Sequence, residues 1–204
     1  MFFRFLKVFI SVFILTFAVL NSRFVIATVQ YYWKKSEFKE HKASARLLPI
    51  AEAVTKRPLP NSANLVVDGV NVFAPIIFGV GDDNDVIYKN LEKGVVHYSN
   101  TPKPGEGGVS IILGHSSAYP WYRGSYGAVF ALLSKLKAGD KVIVQYSDGR
   151  TFNYVVKRSI IFNPFSGDGR LKEIESSPRS TIVLVSCWPV GTNYRRIAVE
   201  AELI

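Results

Sequence analysis

The most reactive side chain in this sequence is its single cysteine, Cys187. It ends the apolar run 182–185, and Trp188 and Pro189 follow it, so a strand should stop there and open into a loop. As a thiolate, cysteine is a strong nucleophile. A free cysteine is more often a small buried hydrophobic residue, and the thiol alone does not decide between these two interpretations.

Two further groups would complete a catalytic set. His115 follows the apolar run 109–113 and Gly114, again at a strand end, and a histidine near a cysteine can hold it as thiolate or deliver a proton. Arg195 and Arg196 open the last apolar run, and strand alternation places one on each face. A guanidinium in a cleft would stabilise an oxyanion. The structural alternatives are a hydrogen-bonded histidine and an exposed arginine.

These residues must be positioned by short strands. Apolar, β-branched runs separated by Gly, Asn and Asp predict strands, and Asp148-Gly149 predicts a hairpin between two of them. Two apolar faces predict short helices at 83–92 and 126–136. Seven or eight strands with two helices indicate a mainly β fold, a closed or nearly closed barrel. The predicted strands are 71–78, 95–98, 109–113, 141–147, 151–163, 181–187 and 194–203.

Composition excludes several functions. The 204 residues suffice for one sizeable core, and one cysteine excludes an internal disulfide and cysteine-rich zinc sites. With only three histidines, we predict neither a metal nor a cofactor. Of the net charge of +9, residues 1–58 carry +7. A nucleic-acid-binding domain would carry this charge on its folded part, so we predict no nucleic-acid partner and favour an anionic membrane surface.

The N-terminal segment supports a membrane contact. Residues 8–20 are nearly all apolar, and Lys7 and Arg23 flank fifteen uncharged residues. We predict an anchor at 1–33, a charged stalk at 34–61 and a folded domain at 62–204. A cleaved signal peptide and a buried helix are the alternatives. Basic residues on both sides of the segment leave its orientation open.

Several motifs, in the same order, resemble the sortase family of cysteine transpeptidases. IVLVSC at 182–187 is similar to the family's Thr-Leu-x-Thr-Cys strand end, although Val183 replaces the first threonine. ILGHS at 112–116 is similar to its Gly-His motif, and CWPVGTNYRRIAV at 187–199 to its Cys-x-Pro…Asn-x-x-Arg stretch. The runs NVFAPIIFG at 71–79 and GVVHYSNTPKPGEG at 94–107 also match, so the resemblance extends from about residue 62 to residue 204.

The resemblance implies a sortase-like barrel and a reaction. Cys187 would attack a carbonyl in a C-terminal sorting signal of the Leu-Pro-x-Thr-Gly type and form a thioester. His115 would exchange protons with the leaving and incoming amines, and Arg196, with Arg195 as the alternative, would stabilise the oxyanion. The partners would be secreted proteins with that signal and an amine acceptor, a cell-wall precursor or a pilin lysine. The enzyme would be a single-pass membrane protein with its catalytic domain outside the cell.

Further residues are candidates for substrate contacts, and the loop 162–179 would help to recognise the signal. The family class stays open, because the Cys-x-Pro-x-Gly-x-Asn run resembles pilus-building members but no Asp-Pro-aromatic lid motif precedes the first strand. Two other functions remain: a catalytically silent β-barrel that binds wall peptides or a pilus partner, and a cysteine hydrolase. The substrate-binding candidates are Ser186, Trp188, His97, Ser116 and Tyr119.

Overall fold

Two helices form the N-terminal part of the protein. The structure, a computed structural model, describes residues 2–20, 22–37, 58–118, 122, 124–165 and 179–204. Helix α1 (Phe2–Leu20) has an 18-residue window of mean hydropathy 2.2, none of it buried, and is long and apolar enough to cross a membrane. Helix α2 (Ser22–Glu37) packs Phe24, Ala27 and Tyr31 against the folded domain. Most of the predicted stalk, 38–57, lies outside the described residues.

The folded domain is a closed barrel of eight strands. Their order around the barrel is β1-β2-β3-β4-β7-β8-β6-β5. The pairs β2–β3 and β4–β7 are parallel and the other pairs are antiparallel. This arrangement confirms the predicted barrel. The strands are β1 (Ala63–Val67), β2 (Val72–Ile77), β3 (Val95–His97), β4 (Val109–Leu113), β5 (Lys141–Tyr146), β6 (Thr151–Phe162), β7 (Thr181–Trp188) and β8 (Arg195–Leu203).

Strand alternation divides the side chains between two faces. On β7, Ile182 and Leu184 belong to the core inside the barrel. Val183 and Val185 belong to a second apolar cluster with β4, β6 and β8, which therefore lies on the outer face. The same parity places Cys187 on the outer face. Strand β4 obeys the same rule, because Ile112 is in the core and Ile111 is in the outer cluster.

Helix α3 (Asn84–Leu91) lies outside the barrel beside β3 and β4, which confirms the helix predicted at 83–92. The Asp83 carboxylate accepts a hydrogen bond from the Val86 N–H at 3.0 Å and caps its first turn. Ile87 and Leu91 are buried against Val96. The helix is thereby fixed next to the end of β4.

One predicted helix is wrong. Residues 126–136 form turns and one 3₁₀ turn, Leu133–Lys135, instead of an α-helix. The Phe130 N–H donates to the His115 carbonyl at 2.9 Å, on the chain that continues β4, and the N–H groups of Val129 and Ala131 donate to carbonyls three residues earlier, as in turns and not in an α-helix. The predicted apolar face is nevertheless buried, through Phe130, Leu133 and Leu136.

Candidate active site

Strand pairing brings the three chemistry-bearing residues to one edge of the barrel. Leu113 of β4 pairs with Val185 of β7, and the Gly114 N–H donates to the Val185 carbonyl at 3.1 Å. The parallel register continues toward His115 on one chain segment and Cys187 on the other. In the antiparallel pair of β7 and β8, Cys187 lies opposite Arg196. His115, Cys187 and Arg196 therefore occupy neighbouring segments at the same level.

Cys187 is accessible at the end of an apolar surface. It is a free, half-buried cysteine on the outer face. Val185 and Val183 precede it on that face and pack with Val109 and Ile111 of β4. A thiol at the end of such an apolar strip is positioned to react with an extended apolar peptide lying along it.

The two arginines lie on different faces of the β-sheet. Arg196 pairs with Cys187, and directly opposed residues of an antiparallel pair share one face of the sheet. Arg195 is exposed, pairs with Trp188 and lies on the opposite face of the sheet from Cys187. The Arg196 Nη1 donates to the Asn193 and Arg195 carbonyls, both at 3.0 Å. These bonds hold its guanidinium at the loop that leaves Cys187.

His115 is half-buried between two tyrosines. The Tyr88 ring of α3 stacks on the imidazole with a centroid distance of 6.2 Å and an angle of 21°. Tyr122 meets it edge-on at 5.5 Å and 86°. Burial lowers the pKa of His115 below its ordinary value, and the charge of nearby Glu92 partly opposes this. The neutral imidazole is therefore the favoured resting form.

Ser186 lies on the opposite face from Cys187. It is buried, and its hydroxyl donates to the Gly114 carbonyl at 2.7 Å. The serine therefore links the segment that carries His115 to the strand that carries Cys187. Ser116 is buried as well. The substrate contacts predicted for both serines stay predictions.

The remaining substrate-binding candidates lie in different environments. His97 is buried, its Nε2 lies 2.9 Å from the Pro102 carbonyl, and its ring contacts Phe78. Trp188 is half-buried and packs against the core inside the barrel. Tyr119 and most of the loop 162–179 lie outside the described residues. Substrate contacts of His97, Trp188 and Tyr119 also stay predictions.

Sequence reasoning missed two neighbours of the imidazole. Tyr88 is on the exposed side of the helix predicted at 83–92, and Glu92 is the last residue of that predicted helix. No sequence signal connects either residue to His115. The sequence predicts Tyr122 only as a wall of the groove or as part of the barrel rim. In the described ranges of the chain, no three His, Cys, Asp or Glu side chains form a group that could hold a metal. The arrangement of thiol, imidazole and guanidinium is suited to acyl transfer.

Comparison with known proteins identifies the relatives of this fold. The family model described as "Sortase domain" matches residues 65–204. No curated protein matches. One similar solved structure is sortase C-1 of Actinomyces oris, with 24% identity, a TM-score of 0.58 and coverage of 86% of this chain and 98% of that one. A second is a lid mutant of sortase A of Corynebacterium diphtheriae, with 22% identity, a TM-score of 0.57 and coverage of 90% of this chain and 93% of that one. A third is a mutant of sortase E of Streptomyces avermitilis, with 25% identity, a TM-score of 0.52 and coverage of 72% of this chain and 88% of that one.

Proposed function

The chain belongs to the sortase family, and from this premise we propose that it is a transpeptidase in which Cys187, His115 and Arg196 carry the reaction. The observation that carries this proposal is the strand register. It aligns the ends of β4 and β7 in parallel and sets Arg196 opposite Cys187. This register supports the proposal that three adjacent segments supply a nucleophile, a proton donor and an oxyanion ligand.

The proposed reaction has two halves. The Cys187 thiolate attacks a peptide carbonyl carbon, and the Arg196 guanidinium stabilises the oxyanion that forms. The C–N bond breaks, the leaving amine takes a proton from His115, and a thioester remains. An acceptor amine then attacks the thioester carbon and gives a proton to His115. A new amide forms and the thiolate leaves.

The lowered pKa of His115 bears on the active protonation state. Attack needs a thiolate and a protonated imidazole together. Because burial favours the neutral imidazole, only a fraction of molecules carries the imidazolium near neutral pH. A thiolate–imidazolium pair present in a minor fraction is enough for turnover, and the rate then scales with that fraction.

We further propose the substrates and location that the sequence predicts. The acyl donor is a secreted protein with a C-terminal sorting signal of the Leu-Pro-x-Thr-Gly type, and the acceptor is an amine of a cell-wall precursor or a pilin lysine. Helix α1 anchors the chain in the cell membrane, and the barrel lies outside the cell. The length, apolarity and exposure of Phe3–Leu20 support the anchor.

The test is acyl transfer by the full chain in nonionic detergent. A library of fluorogenic sorting-signal peptides is offered with and without an amine acceptor. We expect amine-dependent ligation, which Cys187→Ala and His115→Gln abolish. Arg196→Ala should lower kcat by about two orders of magnitude, as for loss of an oxyanion ligand. The adjacent Arg195→Ala is the matched control and should retain activity.

Other outcomes would point elsewhere. Cleavage without transfer to any amine would indicate a hydrolase. Lack of turnover across the library, with Cys187 alkylated no faster than a buried thiol, would contradict catalysis and favour a silent binding module. Equal losses in Arg195→Ala and Arg196→Ala would contradict the assignment based on strand parity.

A further inference from the structure

Nothing in the described part of the chain hydrogen-bonds to the ring of His115, although a proton-transfer group needs a fixed orientation. In Ser-His-Asp enzymes a carboxylate holds the imidazole. Here Glu92 acts on His115 through its charge. Among the described residues, the rings of Tyr88 and Tyr122 contact the imidazole.

Resting on the function proposed above, we propose that Tyr88 and Tyr122 are positioning residues that clamp the His115 imidazole in the orientation for proton transfer. The Tyr88 ring lies nearly parallel to the imidazole, and the Tyr122 ring meets it at nearly a right angle. Aromatic pairs favour such offset-parallel and edge-to-face arrangements, and the two contacts together would oppose rotation of the imidazole away from this orientation.

Tyr122 is itself held in place. Its hydroxyl donates to the Leu91 carbonyl at the end of α3, at 2.9 Å. Gly124 leaves the space that this arrangement needs, because a Cβ there would lie 2.6 Å from the Tyr122 Oη and 2.7 Å from the Glu92 carbonyl oxygen. Tyr122 is thus fixed to the same helix end that lies beside His115.

Tyr88 is fixed through its helix. The side chain is 56% exposed, so it contributes little to the core. Its backbone belongs to α3, which the buried Ile87 and Leu91 attach to the barrel. The ring of Tyr88 is therefore held beside His115 by the helix and can be replaced with little loss of core packing.

The experiment compares leucine and phenylalanine variants of the full chain in detergent. Tyr88→Leu removes the stacked ring, and the matched Tyr88→Phe keeps it. We expect kcat for peptide ligation to fall on the order of tenfold in Tyr88→Leu and in Tyr122→Leu, with KM changed less than about twofold. Tyr88→Phe should stay within about twofold of wild type. A purely structural role would not produce a loss confined to kcat and rescued by the phenylalanine ring.

A second readout does not need turnover. With ¹³C-labelled histidine, the His115 ring resonance is assigned by its disappearance in His115→Gln. The tyrosine rings should shift this signal by ring currents, and Tyr88→Leu should move it toward the position of free histidine, whereas Tyr88→Phe should not. Wild type that ligates while both leucine variants keep full kcat overturns the clamp, even if the resonance moves. A wild type that ligates no peptide counts against the proposed function, and a His115 resonance that Tyr88→Leu leaves unmoved overturns the stacked contact itself, whether or not the wild type ligates.

Discussion

The hydrogen bond between Ser186 and Gly114 gives the most direct test of how the site is held together. The Ser186 hydroxyl donates to the Gly114 carbonyl at 2.7 Å, and the serine is 3% exposed. Gly114 precedes His115 and Ser186 precedes Cys187. Replacing Ser186 by alanine therefore removes a link between the two chain segments that carry the nucleophile and the proton donor of the proposed reaction.

The magnitude follows from burial. The net contribution of a hydrogen bond to stability is about 1 kcal/mol. Removing one partner and leaving the other buried and unsatisfied lowers the free energy of unfolding by about 1–3 kcal/mol. We expect Ser186→Ala to lower the free energy of unfolding by about 2 kcal/mol. A displacement of His115 by about 1 Å would lower the rate by up to about a hundredfold, and we expect a loss in kcat of at least about tenfold with little change in KM.

The assay combines urea unfolding, followed by tryptophan fluorescence, with peptide ligation by the full chain in detergent. Ser110→Ala is the matched control. Ser110 is on β4 and is 2% exposed, and its Oγ has no hydrogen-bond partner among the described residues. Its loss should be neutral or slightly stabilising. Ser186→Thr keeps the hydroxyl and should recover most of the kcat, as the threonine of the similar family motif suggests.

Two results would refute this reasoning. If Ser110→Ala and Ser186→Ala lose equal stability, the cost comes from the cavity and not from the hydrogen bond. If Ser186→Ala unfolds at lower urea yet keeps wild-type kcat, the link stabilises the barrel without positioning the site.

Three further predictions concern the same region. Gly114→Ala should lower the free energy of unfolding, measured in urea, by about 1–3 kcal/mol, because the added Cβ overlaps the buried Phe130 ring. Gly107→Ala is the control and should be neutral, because the space around its Cβ is open. Equal losses of stability in the two variants would contradict this prediction. Burial lowers the pKa of His97, so the unfolded chain binds a proton at this imidazole more tightly than the folded chain does, and the free energy of unfolding should fall as pH drops below about 6.5. His97→Gln should flatten this pH dependence between about pH 7 and 5. An unchanged slope would show that His97 is not the group responsible. Glu92→Gln should lower the pKa of His115 further in an NMR titration, since the carboxylate charge raises it, and a rise would refute that interaction.

Much of the fold was predictable because alternation and turn residues are local signals. Seven predicted strands agree with the structure to within one residue at each end. The missed strand, β1 at Ala63–Val67, alternates buried and half-buried residues but is short and contains Asn64. The predicted helix at 126–136 failed for a non-local reason, because the backbone partner of Phe130 is the His115 carbonyl. No local pattern reports such a bond.

The site was predictable only in part. Strand ends marked Cys187 and His115, and alternation predicted that the two arginines point to different faces. Which arginine shares the face of Cys187 depends on the pairing of β7 with β8, which the sequence does not specify. The same limit applies to Tyr88, since its contact with His115 needs α3 to pack beside β4.

The parallel pairing of β4 and β7 explains why we expect single substitutions near the ends of these two strands to lower activity. Parallel neighbours end at the same edge, so residues that follow two such strands meet there, whereas antiparallel neighbours would place them at opposite edges. Parallel pairing also requires a long crossover, here the chain that contains β5 and β6. His115 and Cys187 are thus distant in sequence, and their alignment depends on the last contacts of the ladder, the Gly114 N–H to Val185 and the Ser186 hydroxyl to Gly114. Substitutions at these contacts should therefore reduce both ligation and stability, and those at the far end of the same strands should reduce stability alone.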